Sequence, residues 1–177
     1  GSSPEAQLVI NNNVAEIHPI AGTFKRTGND EQDAELAKKL VQDEKENSEH
    51  VMLVDLARND LSRSCNDVKV EQYKQVQFFS HVIHLVSKVT GKLKQNHTFM
   101  ELAAKTFPAG TLSGAPKIKA MQLIESIEKT NRSFYGGAIG VMDFEGSFNH
   151  AIMIRSFLSK NHTLYFQAGA GIVESSS

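Results

Sequence analysis

Two glutamates three residues apart are the first candidates for chemistry. Glu46 and Glu49 follow a charged run near the end of a predicted helix. If the helix continues through both positions, residues three apart share a face and the two carboxylates converge. Converging carboxylates either repel each other or hold a hard cation such as Mg2+, which takes oxygen ligands. A solvated helix end is the alternative interpretation of the same residues.

A histidine and an arginine each interrupt a predicted apolar strand. His84 lies within residues 79–88, where a buried imidazole must satisfy its ring nitrogens. It is therefore either a hydrogen-bonded core residue or a group placed to exchange a proton near neutral pH. Arg155 lies within residues 151–156, and a buried arginine needs an anionic partner that matches its planar fork. We favour a bound ligand over an internal Asp or Glu as that partner.

A loop rich in glycine, proline and hydroxyl side chains occupies the first part of residues 107–121. Pro116 suits the first turn of a helix, where its absent N–H costs nothing, and apolar residues then recur at helical spacing. Free backbone N–H groups at a helix start attract an anion, and Lys117 and Lys119 add positive charge. An ordinary loop and helix cap is the alternative, because short motifs have a high false-positive rate.

Glycines also interrupt the last predicted strand. Residues 167–171 have the sequence Gln-Ala-Gly-Ala-Gly. Glycine weakens the interior of a strand, so this pattern indicates close approach of a ligand or of another backbone segment, with a β-bulge as the alternative. Tyr135, which precedes two glycines, either lines the same pocket or caps the core.

The elements that must position these residues are mostly long strands with a few helices between them. The continuous apolar run of residues 51–57, broken only by Asp55, predicts a strand buried on both faces, followed by a loop or short helical turn over 58–63. Further strands are predicted over 7–10, 14–20, 68–77, 78–93, 136–143, 148–158 and 163–173, and helices over 32–45, 98–106 and from Pro116 to 128. This pattern predicts the α+β class, with mostly antiparallel β-sheets packed with helices.

Length and composition restrict the function classes. A chain of 177 residues can form one domain with a sizeable core. The net charge of -1 gives no basic excess that would favour nucleic acid as a partner. No apolar run approaches the length of a membrane span, so we expect no membrane association. The single cysteine, Cys65, excludes an internal disulfide and fits a reducing, cytoplasmic location.

Seven motifs, in one order along nearly the whole chain, resemble the chorismate-binding enzymes, and most closely the large subunits of anthranilate synthases. They are Pro-Ile-Ala-Gly-Thr at 19–23, the run from 48 to 61, His-Leu-Val-Ser at 84–87, Gly-Thr-Leu-Ser-Gly-Ala-Pro-Lys at 110–117, Tyr-Gly-Gly-Ala at 135–138, Ile-Arg at 154–155 and Gln-Ala-Gly-Ala-Gly-Ile-Val at 167–173. One of these motifs alone would be weak, whereas the ordered set is specific.

The resemblance implies a lyase of tryptophan biosynthesis that converts chorismate and ammonia to anthranilate and pyruvate with Mg2+. In this family a glutamine amidotransferase subunit supplies the ammonia. Ammonia adds at C2 of the ring as the C4 hydroxyl leaves, and pyruvate is then eliminated to give the aromatic product.

The resemblance also implies a role for each matching residue. Glu5 would be the general acid for the departing hydroxyl, and His84 would serve the pyruvate elimination. Glu49 would be a ligand of Mg2+, with Glu46 beside it. Arg155 and the backbone N–H groups of residues 169–171 would hold a carboxylate. The full set that would hold chorismate is Gly22, Thr23, Thr111, Tyr135, Arg155, Gly169, Ala170 and Gly171.

Relatives with other activities are the alternatives. Aminodeoxychorismate synthases typically carry a nucleophilic lysine where Ala21 stands, and a Ser-Ile-Thr-like version of residues 111–113. Both differences favour anthranilate synthase. Isochorismate and salicylate synthases use water in place of ammonia and are excluded less firmly. A non-catalytic module with the same fold is the alternative from a different class. The Phe-Lys pair at 24–25, where the family often has Arg-Pro, touches no catalytic position.

The ends of the chain lead to a further expectation. We expect residues 1–177 to be a single chorismate-binding catalytic domain truncated at both ends, without the family's N-terminal regulatory region and without a C-terminal helix that carries further glutamates for Mg2+. Such a fragment should be inactive by itself. It should also expose an apolar patch and tend to self-associate.

Overall fold

The computed structural model describes Gly1 and residues 5–172. In these residues, seven strands form one antiparallel sheet: β1 (Glu5–Asn11), β2 (Val14–Ile17), β3 (Ile20–Lys25), β4 (Cys65–Phe78), β5 (Val82–Leu93), β6 (Ala138–Met142) and β7 (Phe148–Ile152). The helices are α1 (Asp30–Gln42), α2 (Glu44–Ser62), α3 (Phe99–Thr106), α4 (Gly110–Ser113) and α5 (Lys117–Ile127). A separate hairpin is formed by β8 (Leu158–Lys160) and β9 (Thr163–Tyr165). The predicted α+β class is confirmed.

Strand β5 organises the sheet because it pairs with three others. The order is β3-β5-β2-β1-β7-β6, with β4 also paired to β5. The first half of β5 pairs with β3 and the second half with β2. The prediction of one strand over 14–20 is therefore wrong. Pro19, which has no N–H for a ladder, separates β2 from β3, while its carbonyl accepts a hydrogen bond from the Ser87 N–H at 3.0 Å.

The predicted strand over 51–57 and the loop over 58–63 are also wrong, because helix α2 covers both. The Asp43 side chain accepts a hydrogen bond from the Glu46 N–H at 3.0 Å and so caps the helix start. The buried residues of α2 recur at helical spacing, namely His50, Leu53, Val54, Leu56, Ala57, Asp60 and Leu61. A short apolar run cannot distinguish a strand from a buried helix. Here the buried polar residues His50 and Asp60, which recur with the apolar ones at helical spacing, indicate a helix. Asp43 is also the residue at which α1 ends. This helix therefore stops at Gln42, three residues before the predicted end at residue 45.

The C-terminal third contains less strand than predicted. Strand β7 ends at Ile152, and β9 ends at Tyr165. Arg155 therefore lies beyond its predicted strand, with a left-handed backbone at φ 50°. Residues 167–171 have no regular secondary structure, and Val173, the predicted end of the last strand, lies outside the described residues.

The core lies between the sheet and helices α1, α2 and α3. One cluster joins Leu8, Ile10, Val54, Leu61 and Val89, and buries Cys65; a second joins Ala37, Leu40, Ile83 and Leu85. Farther along the chain, apolar side chains on α5 and β6 are largely exposed, among them Ile118, Ile127 and Val141. This agrees with the expected apolar surface, and self-association stays a prediction. No helix in the described part of the chain is long and apolar enough to cross a membrane.

The helical assignment of α2 can be tested with two neighbouring truncations. In a strand, positions 51 and 53 would share a face, whereas in α2 Leu53 is 5% exposed and Val51 is 39% exposed. We expect Leu53→Ala to lower the free energy of unfolding by about 2–5 kcal/mol. The matched control Val51→Ala should change it by about 0.5 kcal/mol or less. Urea unfolding followed by circular dichroism measures both, and equal losses would contradict the helix.

Candidate active site

One cavity of about 450 Å3 collects most of the predicted site residues. This volume lies in the usual range for small-molecule sites. The predicted residues that line it are Glu5, Gly22, Thr23, Glu46, Glu49, His84, Thr111, Tyr135, Arg155 and Gly169. They come from β1, β3, α2, β5, α4 and the segments after α5 and β7, so only the folded chain brings them together.

His84 faces this cavity from strand β5, as its position in an apolar strand predicted. Its Nδ1 lies 2.7 Å from the Gly22 carbonyl oxygen and 3.3 Å from Thr23 Oγ1. A carbonyl oxygen can only accept, so Nδ1 carries the proton. In the neutral ring, Nε2 then has the free lone pair and can take up a proton. The rings of Phe79 and His84 make an edge-to-face contact, with 5.4 Å between their centroids, and this contact holds the imidazole from the side.

Gly22 brings strand β3 close to both α1 and α2. Its backbone is left-handed, at φ 72°, and a Cβ there would lie 2.6 Å from a methyl carbon of Leu40 on α1 and 3.4 Å from Glu46 Oε2 on α2. Glycine is the residue that tolerates both conditions. The close approach lets the Gly22 backbone hydrogen-bond to the Glu46 carboxylate while its carbonyl holds His84. Gly22 thus contacts both His84, the candidate proton-exchanging group, and Glu46, one of the two acidic residues.

Glu46 and Glu49 both lie on α2 and line the cavity, which confirms that they share a helix face. Burial raises the pKa of Glu46, and the neighbouring negative charge of Glu49 raises it further. Two carboxylates that repel each other in a cavity fit a divalent cation with hard oxygen ligands. Within the described residues, no group of three or more His, Cys, Asp or Glu side chains could hold a metal, so water or ligand oxygens would have to complete its coordination.

Glu5 and Arg155 form a pair on the opposite side of the cavity. Glu5 Oε2 lies 3.6 Å from Arg155 Nη2, with the Glu5 side chain 12% exposed and the Arg155 side chain 51% exposed. Arg155 therefore has an internal acid within reach, and the preference for a bound ligand as its partner stays a prediction. Burial raises the pKa of Glu5, although Arg155 and His84 oppose the rise. A carboxyl group whose pKa is raised by burial gives up its proton less readily than it would in water and suits a general acid.

Tyr135 is both a cavity residue and a core residue. Its side chain is buried, and its hydroxyl would lie 3.1 Å from a Cβ at Gly169. A Cβ at Gly171 would lie 3.1 Å from Glu49 Oε1, so the backbone of residues 169–171 passes close to both Tyr135 and Glu49. Close approach of a ligand or of another backbone segment was the predicted reason for these glycines, whereas the atoms that approach them are side-chain atoms of Tyr135 and Glu49. Ala170, between them, is exposed, and neither Ala170 nor Gly171 is among the residues that line the cavity.

Helix α4 carries Thr111 to the cavity. A side chain at Gly110 would collide with Leu56 of α2, so the glycine allows α4 to pack directly on that helix. Lys117, which we considered as part of an anion site, instead donates to Asp60 Oδ2 at 2.6 Å and to the Thr106 carbonyl at 2.7 Å. The start of α5 does not line the cavity. The anion-site interpretation of Lys117 is therefore wrong.

Several cavity residues had no role in the sequence analysis. They are Ile20, Leu112, Ile154, Gln167 and Ala168. Most are apolar or small, and such side chains are far more often core residues than ligand contacts, so residue type gives no signal. Each lies within two residues of a predicted site residue, and that closeness in sequence was the available indication.

Comparison with known proteins agrees with this geometry. A family model for chorismate binding enzymes matches residues 1–177. The chain is 52% identical over 179 residues to anthranilate synthase component 1 of Mycobacterium tuberculosis, covering 100% of the chain and 35% of that protein. It is 47% identical over 178 residues to the Bacillus subtilis protein of the same name, covering 99% of the chain and 35% of the relative. The chain thus spans about a third of the length of these relatives.

Two solved structures show the same fold. Anthranilate synthase component I from Streptococcus pneumoniae superposes with a TM-score of 0.90 at 44% identity, covering 100% of this chain and 39% of that one. The menaquinone-specific isochorismate synthase from Escherichia coli superposes with a TM-score of 0.88 at 25% identity, covering 100% of this chain and 41% of that one. The fold is therefore shared by proteins with different products.

The raised pKa of Glu5 can be measured without any ligand. We expect its carboxyl to titrate above the ordinary glutamate range in a carbon-detected NMR titration, with Glu5→Gln identifying the signal. Arg155→Gln should raise this pKa further, because the guanidinium favours the charged carboxylate. Arg58→Gln, which removes an exposed arginine from α2, is the control and should leave it unchanged. Titration of Glu5 at or below the ordinary range would contradict the assignment of a buried acid.

Proposed function

Because the chain belongs to the chorismate-binding enzyme family, we propose that it carries the active site of an anthranilate synthase, a lyase that converts chorismate and ammonia to anthranilate and pyruvate. The observation that carries this proposal is the single cavity in which a buried acid, a histidine with one free ring nitrogen, an arginine and two glutamates meet. The relatives named anthranilate synthase component 1, at 45–52% identity, support the choice of reaction.

In the proposed reaction, Glu5 and His84 move protons at different steps. Glu5 would donate its proton to the C4 hydroxyl, which leaves as water while ammonia adds at C2, and the Glu5 carboxylate would then take up the extra proton of the new ammonium group. Burial raises the pKa of Glu5, which favours its proton-donating form. His84 Nε2 would next take the proton from C2 as the C3–O bond breaks and the ring becomes aromatic, and the departing enolate would take up a proton at its methylene carbon to become pyruvate. The Gly22 carbonyl fixes the His84 tautomer that this step needs.

The two carboxylates of chorismate would be bound at opposite sides of the cavity. Arg155, with the backbone N–H groups of residues 169–171, would hold one of them. Mg2+ on Glu46 and Glu49 would supply positive charge for the ring carboxylate. Both glutamates fit this cation: burial and then repulsion from Glu49 raise the pKa of Glu46, and a cation would relieve that repulsion. The backbone at Gly22, Thr23 and Thr111, and the Tyr135 hydroxyl, would complete the walls.

The proposed reaction needs a source of ammonia. The relatives are named as component 1, which implies a second component, and we propose a glutamine amidotransferase subunit as that partner. A cytoplasmic location and a single catalytic domain stay predictions. The first of these still depends on the lone, buried cysteine, Cys65.

Isochorismate synthesis is the second candidate, favoured by the close superposition on the Escherichia coli isochorismate synthase. Water would replace ammonia as the nucleophile. Ala21, which is 6% exposed and lines the cavity, argues separately against aminodeoxychorismate synthesis, because its methyl group cannot act as the lysine nucleophile found there.

A chimera can test the reaction. Residues 1–177 would replace the matching stretch of the Mycobacterium tuberculosis relative, with which they share 52% identity. We expect anthranilate fluorescence that depends on chorismate, Mg2+ and ammonia, with the unaltered relative as the positive control. Isochorismate as the only product would favour the second candidate. A folded chimera that binds chorismate and forms neither product would favour a non-catalytic module.

Glu49→Gln tests the proposed metal site. The substitution removes one anionic oxygen ligand, so the affinity of the chimera for Mg2+ should fall by at least about tenfold. Loss of a residue that only hydrogen-bonds a metal ligand already has an effect of that size. Isothermal titration with Mg2+ in the presence of chorismate measures this directly. Glu44→Gln, an exposed glutamate in the first turn of the same helix, is the matched control. Unchanged affinity in Glu49→Gln would exclude Glu49 as a ligand.

His84→Met tests the order of the two steps. The variant should still consume chorismate and ammonia, while anthranilate formation falls on the order of a hundredfold or more, as expected for loss of a general base. An aminated intermediate that retains its pyruvyl group should accumulate and can be identified by mass spectrometry. His81→Met, an exposed histidine before the same strand, is the control. If chorismate is not consumed, His84 acts before the elimination.

A further inference from the structure

The pair of Asp60 and Lys117 is a buried charged contact outside the cavity. Lys117 Nζ lies 2.6 Å from Asp60 Oδ2, and the two side chains are 12% and 6% exposed. Both residues lie in the family-like motifs; Asp60 had no predicted role, and Lys117 had only the anion-site role that its contacts rule out. Their contact joins the last turn of α2 to the first residue of α5, which are 57 positions apart.

Lys117 also closes a loop. Its ammonium donates to the Thr106 carbonyl at 2.7 Å, and Thr106 is the last residue of α3. The ten residues between Thr106 and Lys117 include α4, which carries Thr111 to the cavity. One ammonium therefore joins the two ends of this loop and attaches them to the helix that also bears Glu46 and Glu49. The loop is held separately at Leu112, whose carbonyl accepts a hydrogen bond from Arg132 at 2.7 Å.

The surroundings of the pair argue for a role other than stability. A buried ion pair gains little net stability, because desolvation of both charges offsets their attraction. In the described residues, Asp60 Oδ1 is buried without a hydrogen-bond partner, which adds to the cost. Behind the loop lies a small cavity of about 50 Å3, lined by Glu5, Asp60 and Thr111 among others. A loop released from Lys117 would have room to shift into it.

We propose that Asp60 and Lys117 are positioning residues. Their ion pair, which we call the clasp, fixes the loop of residues 107–116, which carries Thr111, at one distance from Glu46 and Glu49. The clasp is inferred from the contacts described above, whereas its expected effect on chorismate binding rests on the proposed function. A bulky apolar pair at the same positions would fill the space without joining the loop ends to α2.

The double variant Asp60→Leu/Lys117→Met separates positioning from stability. We expect its urea midpoint to be at or above that of the single variant Lys117→Met, because replacing both charges avoids leaving one unpaired. Even so, the amides of Leu112, Ser113 and Gly114, which bond within α4, should exchange with D2O about tenfold faster than in the unaltered chain. Amides in α2 and β5 should be unchanged. The exposed pair Asp55 and Arg58 on α2 gives the control Asp55→Asn/Arg58→Met.

Chorismate affinity is the second measurement, made by calorimetry with Mg2+ present. The double variant should bind about tenfold more weakly than the unaltered chain, a typical size for coupling through a neighbouring contact. This affinity is measured in the chimera: if the chimera with residues 1–177 unaltered fails to bind chorismate, the proposed function fails, and the exchange data still test the clasp. Exchange rates in α4 equal to those of the unaltered chain would overturn the proposal. If the double variant does not fold, the isosteric Asp60→Asn is judged by the same exchange rates.

Discussion

The buried hydrogen bond between His50 and Ser87 fixes the position of α2 on the sheet, and the arrangement of the site depends on it. His50 Nε2 lies 2.6 Å from Ser87 Oγ, and both residues are fully buried. Ser87 Oγ also accepts the Lys74 N–H at 2.9 Å, which leaves its own hydrogen available to Nε2. A neutral His50 can accept that hydrogen. Burial, with the nearby charge of Lys74, agrees by lowering the pKa of His50 to about 4.

This contact relates two functional side chains that belong to different elements. Glu49 precedes His50 on α2, and His84 lies three residues before Ser87 on β5. Packing of Leu53, Val54 and Ala57 against the sheet sets the separation of the two elements, but apolar contacts are non-directional and allow sliding. A short hydrogen bond between two fully buried groups is directional, so it fixes the register of the helix along the strand.

The sequence predicted the fold class and most of the cavity residues, whereas it missed the element on which the site depends. Helix α2 was interpreted as a strand because residues 51–57 are nearly all apolar, although the spacing of His50, Leu53 and Leu61 was helical. The pair of Glu5 and Arg155 was not predicted, because sequence cannot show that β1 pairs with β7 and sets Glu5 opposite Ile152, three residues before Arg155. Side-chain partners that are 150 residues apart follow from sheet topology rather than from local pattern.

Electrostatics divide the cavity into two unlike sides. Glu5 and Glu46 both have pKa values raised by burial, but the cation Arg155 opposes the rise at Glu5, whereas the negative charge of Glu49 adds to the rise at Glu46 more than Lys45 opposes it. A dicarboxylate such as chorismate would be attracted to the first side and repelled from the second. In the proposed function, a divalent cation on Glu46 and Glu49 reverses that repulsion. Chorismate and Mg2+ should then each increase the affinity for the other by the same factor, because coupling between two bound ligands is reciprocal.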